Sequence, residues 1–163
     1  MSAEDRPPPI HEIDDSLITD NSYVVFDWDN TLKLWDKREK KLSSRVTRDF
    51  LRHLQRDRGC QLYIISAIRP SAINLSTILS EVEKLGLTDI FVTDINAKTV
   101  VKSNEYAHKE NVIICGYDKA ETFLSLSDFD AAKDDKVQFF DDEYVNITNF
   151  QAIVPTSNCY WIQ

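Results

Sequence analysis

Asp27 and Asp29 stand one residue apart at the end of Val24-Val25-Phe26, and Asp141-Asp142 end a second apolar run, Val137-Gln138-Phe139-Phe140. Runs rich in β-branched and aromatic residues have the character of buried strands. In open parallel sheets, ligands bind just beyond the carboxyl ends of the strands. Carboxylates there can serve one reacting centre as nucleophile, metal ligand or acid/base. A lone Asp-x-Asp after a strand is ordinarily a polar turn. Two strands capped alike by acidic pairs point to a divalent cation site, because hard cations take carboxylate oxygens and four acids repel one another without one.

The elements that must position these acids follow from the pattern of the chain. A first strand is predicted over Tyr23 to Phe26. Leu32-Lys33-Leu34-Trp35-Asp36 alternates and predicts a small hairpin or flap. A helix is expected from Ser43 or Ser44 as N-cap, with Val46, Phe50, Leu51 and Leu54 as its apolar face and Gly59 as its stop. Gln61 to Ile65 is the second strand. Pro70 and Ser71 open a helix that carries Leu75, Ile78, Leu79, Val82 and Leu85 and stops at Gly86. Ile90-Phe91-Val92 reads as a third strand, residues 94 to 111 as a loop or short hairpin, and Val112 to Cys115 as another strand. A helix runs from Lys119 through Phe123, Leu124 and Leu126, and Asp128 to Lys136 is an acidic loop. Val137 to Phe140 is the next strand, with Ala152-Ile153-Val154 and Tyr160-Trp161-Ile162 as terminal strands. Strands alternating with helices mean an α/β, doubly wound, Rossmann-like parallel sheet with helices on both faces.

The chain has 163 residues, enough for one domain with a sizeable core. Residues 1–20 are polar, acidic and proline-bearing (Pro7-Pro8-Pro9) and read as a flexible arm, with Ile10, Ile13, Leu17 and Ile18 able to pack part of it. Residues 21–163 form a single domain. No apolar run approaches a membrane span, and Met1 to Arg6 lacks the apolar core of a signal peptide. An intracellular location, cytoplasmic or nuclear, is expected. Cys60, Cys115 and Cys159 are scattered, with no CxxC pair, so neither a zinc site nor a disulfide framework is expected. None has an arginine six positions later, which argues against a cysteine-nucleophile phosphatase loop.

Net charge is −8, which opposes nonspecific nucleic-acid binding by the whole surface. The charge is uneven. Residues 33 to 58 hold ten Lys/Arg against four Asp/Glu. Arg45, Arg48, Arg52 and Arg56 recur at spacings of three and four, as a solvated face or as a contact for an acidic partner.

Asp27-Trp28-Asp29-Asn30-Thr31 resembles the DxDxT signature of the haloacid dehalogenase-like (HAD) phosphohydrolases. Three further elements follow in that superfamily's order: a strand ending in Ser66, a helix opened by Lys119, and the acidic pair Asp141-Asp142. Phe139 to Glu143 with Asn146-Ile147 is most similar to its small magnesium-dependent phosphatases. Only 34 residues separate Thr31 from Ser66 and 52 separate Ser66 from Lys119, so no large cap domain fits.

The resemblance implies a magnesium-dependent phosphatase acting through an aspartyl-phosphate. Asp27 would be the nucleophile, Asp29 the acid and base, Ser66 a hydrogen-bond donor to the phosphoryl group, and Lys119 its charge partner. Lys98, Lys102 and Lys109 are the other candidates for the lysine. Asp27, the Asp29 backbone carbonyl, Asp141 and Asp142 would hold Mg²⁺. The flap would close over the site, with Trp35 as a lid residue or a core aromatic. Ala67 stands where the resembling phosphatases often carry arginine, leaving Arg69 to reach back. Asp29 favours phosphoester hydrolysis, since the superfamily's dehalogenases lack it. The substrate expected is a phosphoprotein or an accessible small phosphoester. The alternatives are a nucleic-acid 3′-end phosphatase and a non-catalytic binding module. A receiver domain fails on the order of its acids.

Overall fold

The computed structural model describes residues 6–163. Its elements are β1 (Tyr23–Phe26), β2 (Lys33–Asp36), β3 (Lys41–Ser44), α1 (Arg48–Arg52), β4 (Gln61–Ala67), α2 (Ala72–Lys84), α3 (Thr88–Phe91), β5 (Val100–Lys102), β6 (Tyr106–Lys109), β7 (Val112–Cys115), α4 (Lys119–Leu126), β8 (Val137–Asp141), α5 (Tyr144–Ile153) and β9 (Asn158–Trp161). Seven strands form one sheet in the order β5-β6-β7-β4-β1-β8-β9. The pairs from β7 to β9 are parallel; β5 and β6 add an antiparallel hairpin at one edge. The chain is therefore α/β with a mostly parallel sheet, as its sequence pattern predicts.

The pleat divides the core in two. Val24, Phe26, Leu62, Ile64, Ile114 and Phe140 pack on the side of α1, α2 and α3. Tyr23, Val25, Tyr63, Ile65, Ile113, Cys115 and Phe139 pack on the side of α4 and α5. Alternate residues of a strand point to opposite faces, so strands with helices on both sides must be apolar throughout. β1 and β7 are, at every residue. Phe123 anchors the second half of the core, with Tyr23, Tyr63, Phe129 and Phe150 rings within 6.0 Å of its own.

Three elements differ from the sequence expectation. Ser43 and Ser44 do not cap a helix, because they pair with Leu34 and Lys33 in the β2–β3 hairpin. Thr47 is the cap, its Oγ1 accepting from Phe50 N at 3.1 Å. Ile90-Phe91-Val92 is not a strand: Ile90 and Phe91 end α3, buried against the sheet face. A three-residue apolar run carries no period that separates strand from buried helix. Ala152-Ile153-Val154 closes α5 instead of forming a strand. The buried positions Ile147, Phe150 and Val154 are spaced three and four apart, the stripe of one helix face. Residues 94 to 111, expected as a loop or short hairpin, do contain the β5–β6 hairpin.

The N-terminal segment lies against the domain from Ile10 onward. Ile10 pairs in parallel with Ile162, donating to Trp161 O at 2.9 Å and accepting from Gln163 N at 3.0 Å. Ile13 and Ile18 are buried. Arg58 holds this segment through Asp20 Oδ1 and Asp15 O at 2.6 and 2.7 Å and through Ile18 O. Among the described residues, no helix is long and apolar enough to cross a membrane. Cys115 is buried and Cys159 partly so, and burial pushes both thiols up to about 11, which leaves them unsuited to act as nucleophiles.

Phe123→Ala is expected to cost about 3–5 kcal/mol, read as a lower urea midpoint with an unchanged slope. A loss under about 1 kcal/mol, the scale of an ordinary surface change, would mean that this ring does not anchor the aromatic cluster.

Candidate functional site

The connectivity decides where the acids meet. From β1 the chain winds outward to β4 and β7, then returns to lay β8 and β9 on the other side of β1. The order reverses between β1 and β8, and the crevice at such a switch point is where α/β sheets bind ligands. Phe26 is in register with Phe140, and Asp27 N extends the ladder by donating to Phe140 O at 2.9 Å. Asp27 thus leaves β1 beside Asp141, the last residue of β8.

Lys119, the first residue of α4, joins them. Its Nζ lies 2.7 Å from Asp27 Oδ1 and 2.7 Å from Asp141 Oδ2. All three residues are closed to solvent, with relative exposures of 3%, 6% and 0% for Lys119, Asp27 and Asp141. Thr31 Oγ1 donates to Asp27 Oδ2 at 3.0 Å, with Asp142 Oδ1 3.5 Å away. The rest of Asp141 is satisfied by Glu143 N at 2.8 Å and Asn146 Nδ2 at 3.0 Å. One carboxylate oxygen each from Asp27, Asp141 and Asp142 lies within 4.8 Å of the other two.

The charges do not balance within the protein. Three carboxylates face one bonded ammonium, with the Arg45 guanidinium adding a positive charge that acts on Asp142 alone, so negative charge is in excess. Burial pushes the Asp27 carboxyl up to about 6, with Lys119 opposing and Asp142 adding to the rise. Burial likewise raises Asp141, opposed by Lys119 and reinforced by Asp27. It also raises Asp142, whose further push comes from Asp141 and Glu143. Burial alone would lower Lys119, but Asp27 and Asp141 outweigh it and hold the ammonium above its ordinary range. A hard divalent cation fits this donor set in ligand type and in charge.

Asp29 stands apart from the three. Its Oδ1 accepts from Lys33 Nζ at 2.7 Å, and its side chain is half exposed. The same ammonium reaches Glu81 Oε2 at 2.8 Å, while Trp28 Nε1 donates to Glu81 Oε1 at 2.9 Å. The turn that separates Asp27 from Asp29 is tight: Lys33 N donates to Trp28 O at 2.9 Å, and Asn30 sits at φ 62°. Asparagine adopts this left-handed conformation more readily than most residues. Ser66 is buried near the carboxyl end of β4, the strand next to β1. Arg69 is exposed. Of the lysines weighed, Lys102 pairs with Glu105 on the edge hairpin and Lys98 is exposed; Lys119 alone of the four is bonded to Asp27.

Arg45 has a role that its spacing did not suggest. It lies outside α1, and its guanidinium donates to Thr31 O at 2.6 Å, Asn30 O at 2.8 Å and His11 O at 3.1 Å, holding the Asp27 turn from behind. Arg48 and Arg52 share Asp89, at 2.6 and 2.5 Å. The acidic partner of these two is thus within the chain. The Glu81–Lys33–Asp29 link was equally hidden, because its members are up to 52 positions apart and no local pattern joins them.

Searches with protein-family models, among curated proteins and among solved structures find no match to this chain.

The folded protein without metal holds the Asp27 proton up to about 6, while an ordinary aspartate releases it near 3.8. Between these values the folded state binds more protons than the unfolded chain, so its stability falls as pH rises through that window. The thermal midpoint of the metal-free protein is expected to fall between those pH values, and Asp27→Asn to flatten the fall. Adding Mg²⁺ at neutral pH should raise the midpoint of the wild type and leave Asp27→Asn nearly unmoved. A wild type indifferent to Mg²⁺ would mean that the three carboxylates are not its site.

Proposed function

We propose that this chain is a magnesium-dependent phosphoric monoester hydrolase of the HAD type, without a large cap, acting through an aspartyl-phosphate. The observation that carries the reading is the convergence of Asp27, Asp141 and Asp142 at the switch point of the sheet, with the buried Lys119 bonded to the first two. Two things support it further: Asp29 stands two residues from Asp27 at the mouth, and Ser66 ends the buried run of the neighbouring strand.

In this reading the Asp27 carboxylate attacks phosphorus in line. The bond from phosphorus to the ester oxygen breaks, and Asp29 gives its proton to that oxygen. Water then attacks the phosphorus of the aspartyl-phosphate and gives a proton to Asp29, releasing inorganic phosphate and restoring the Asp27 carboxylate. Lys119 offsets negative charge on Asp27 and on the phosphoryl oxygens, and Ser66 donates to one of those oxygens. Thr31 and Arg45 hold the turn so that Asp27 keeps its aim. Asp27, Asp141, Asp142 and the Asp29 carbonyl would hold Mg²⁺, which supplies charge neutralisation at the phosphoryl group. Asp29 must leave or share its bond to Lys33 to reach the leaving oxygen, so Lys33 fixes its resting position.

Hydrolysis of an aryl phosphate by the purified chain is expected with Mg²⁺ and absent with chelator. Asp27→Asn should abolish it. A wild type that neither turns over nor binds Mg²⁺ or beryllofluoride would end the enzymatic reading in favour of a binding module. Asp29→Asn should slow hydrolysis of an alkyl phosphate by ~10²–10⁴-fold, the usual range for losing an acid/base. An aryl phosphate with a good leaving group should suffer less. Equal losses on both esters would remove Asp29 from the role of leaving-group acid.

A further inference from the structure

The β2–β3 hairpin rises from the Asp27 turn and is tied to it at both ends. At its start Lys33 binds Asp29, and just past its end Arg45 binds the carbonyls of Asn30 and Thr31. Each strand has four residues, so the turn stands ~13 Å from its base at ~3.3 Å per residue. That turn carries four cations against the two acids Asp36 and Glu39. Lys37, Arg38, Lys40 and Lys41 are all exposed, and none forms an ion pair with a described residue. Lys33, Arg48, Arg52, Arg58, Lys102, Lys119 and Lys136 have carboxylate partners, while Arg56, Arg69, Lys84, Lys98, Lys109 and Lys133 have none among the described residues but are scattered along the chain, so the turn is where four such cations fall within five residues. The turn is shaped by local bonds. Asp36 Oδ1 accepts from Arg38 N and Glu39 N at 2.8 and 3.0 Å, and Lys40 takes a left-handed φ of 51°.

Trp35 completes the surface. Residues two apart on a strand share a face, so Trp35 lies on the side of Lys33, whose ammonium meets Asp29. Its indole is 51% exposed, beside Leu42 across the hairpin. Beyond Glu81, the outer face of α2 presents Ser80, Thr77 and Ser76. An exposed indole followed by four unpaired cations is the combination that binds single-stranded nucleic acid, bases stacking on the ring and phosphates following the charge. The remaining surface is acidic and confines such binding to the hairpin. A phosphoprotein would bring one dianion to the buried site and leave the turn unmatched.

Granted the phosphatase reading, on which this assignment rests, we propose that the ester is the terminal phosphate of a single-stranded polynucleotide, held by Trp35 and the cations of the β2–β3 turn. The hairpin threads the strand and the crevice beneath it takes the end.

The test uses the full chain with Mg²⁺ and four probes: a thymidine oligonucleotide with a 3′-phosphate, its 5′-phosphate counterpart, a phosphoserine peptide and an aryl phosphate. The readout is kcat/KM on each relative to the aryl phosphate. One oligonucleotide end should be preferred over the peptide. Trp35→Ala should lower the oligonucleotide-to-aryl ratio by about tenfold. The combined Lys37→Ala, Arg38→Ala, Lys40→Ala and Lys41→Ala variant should lower it further. It should also flatten a salt dependence that steepens by about 0.7 in the log–log slope for each phosphate contacted. Binding of a labelled strand to Asp27→Asn, followed by anisotropy, reads the hairpin without chemistry and should be lost in the combined variant. Preference for the peptide, or a ratio indifferent to both hairpin variants, overturns the assignment. Aryl turnover without strand binding overturns the substrate class alone. Absence of turnover on all four probes, together with no binding of Mg²⁺ or beryllofluoride, overturns the phosphatase reading and the substrate assignment with it.

Discussion

An ammonium closed off from water is tolerable only if its surroundings are arranged around it. Lys119 lies 2.7 Å from both Asp27 and Asp141, and Phe139 contributes a ring face 5.8 Å away. Removing one partner of a buried pair costs roughly 3–5 kcal/mol, because the other charge is left uncompensated. Three elements from distant parts of the chain must therefore keep their registers together: the end of β1, the end of β8 and the first residue of α4. Lys119 enters as part of a helix whose Ala120 and Phe123 are packed into the aromatic half of the core. The rigidity of that core becomes the aim of the ammonium.

A second layer of contacts holds what Lys119 does not touch. Asp142 is fixed through its backbone, its carbonyl accepting from Trp161 Nε1 at 3.0 Å and Gln163 Nε2 at 2.7 Å. The Asp27 turn is fixed by Arg45, which also binds His11 in the N-terminal segment. That segment pairs with Ile162. The two acidic turns are thus braced by the two ends of the described chain, through groups that have no chemistry of their own to offer. Asp29 is held by a different route, from Lys33 and Glu81 on α2. Asp27 and Asp29 are close in sequence yet are tied to different parts of the molecule. The proposed nucleophile sits in the rigid centre and the proposed acid on a half-exposed rim.

The legibility of these features in the sequence follows from how local they are. Asp27 and Asp141 are visible because each ends a β-branched or aromatic apolar run and is followed by a second acid within two residues. The two-faced sheet is visible because β1 and β7 are apolar without alternation. Lys119 can be placed by its order in the chain and its helix-opening position. Helix boundaries are less legible. Ser43, Ser44 and Thr47 are all plausible caps, and only the pairing of the serines with Leu34 and Lys33 decides among them. α3 and the end of α5 read as strands because short apolar runs look alike in either conformation. The arginine stripe is half illusory: Arg48 and Arg52 do share a face, but Arg45 precedes the helix and turns the other way. Contacts such as Glu81 with Lys33, or Arg45 with Asn30, have no signature in a single sequence because they join residues through the fold alone.

The placement of β8 also bears on the order in which the protein can assemble during synthesis. β8 is made after β1, β4 and β7, yet it lies inside the sheet, between β1 and β9. A nascent chain that ends before Val137 can pair β1 with β4 and β4 with β7, but it leaves the other edge of β1 open. Its Lys119, already translated, has only one of its two carboxylates. Open apolar strand edges are templates for pairing with other chains, and contacts between residues far apart in sequence form slowly. The carboxylate cluster therefore cannot form on the ribosome until β8 emerges. The same insertion that completes it removes the most exposed strand edge of the growing chain.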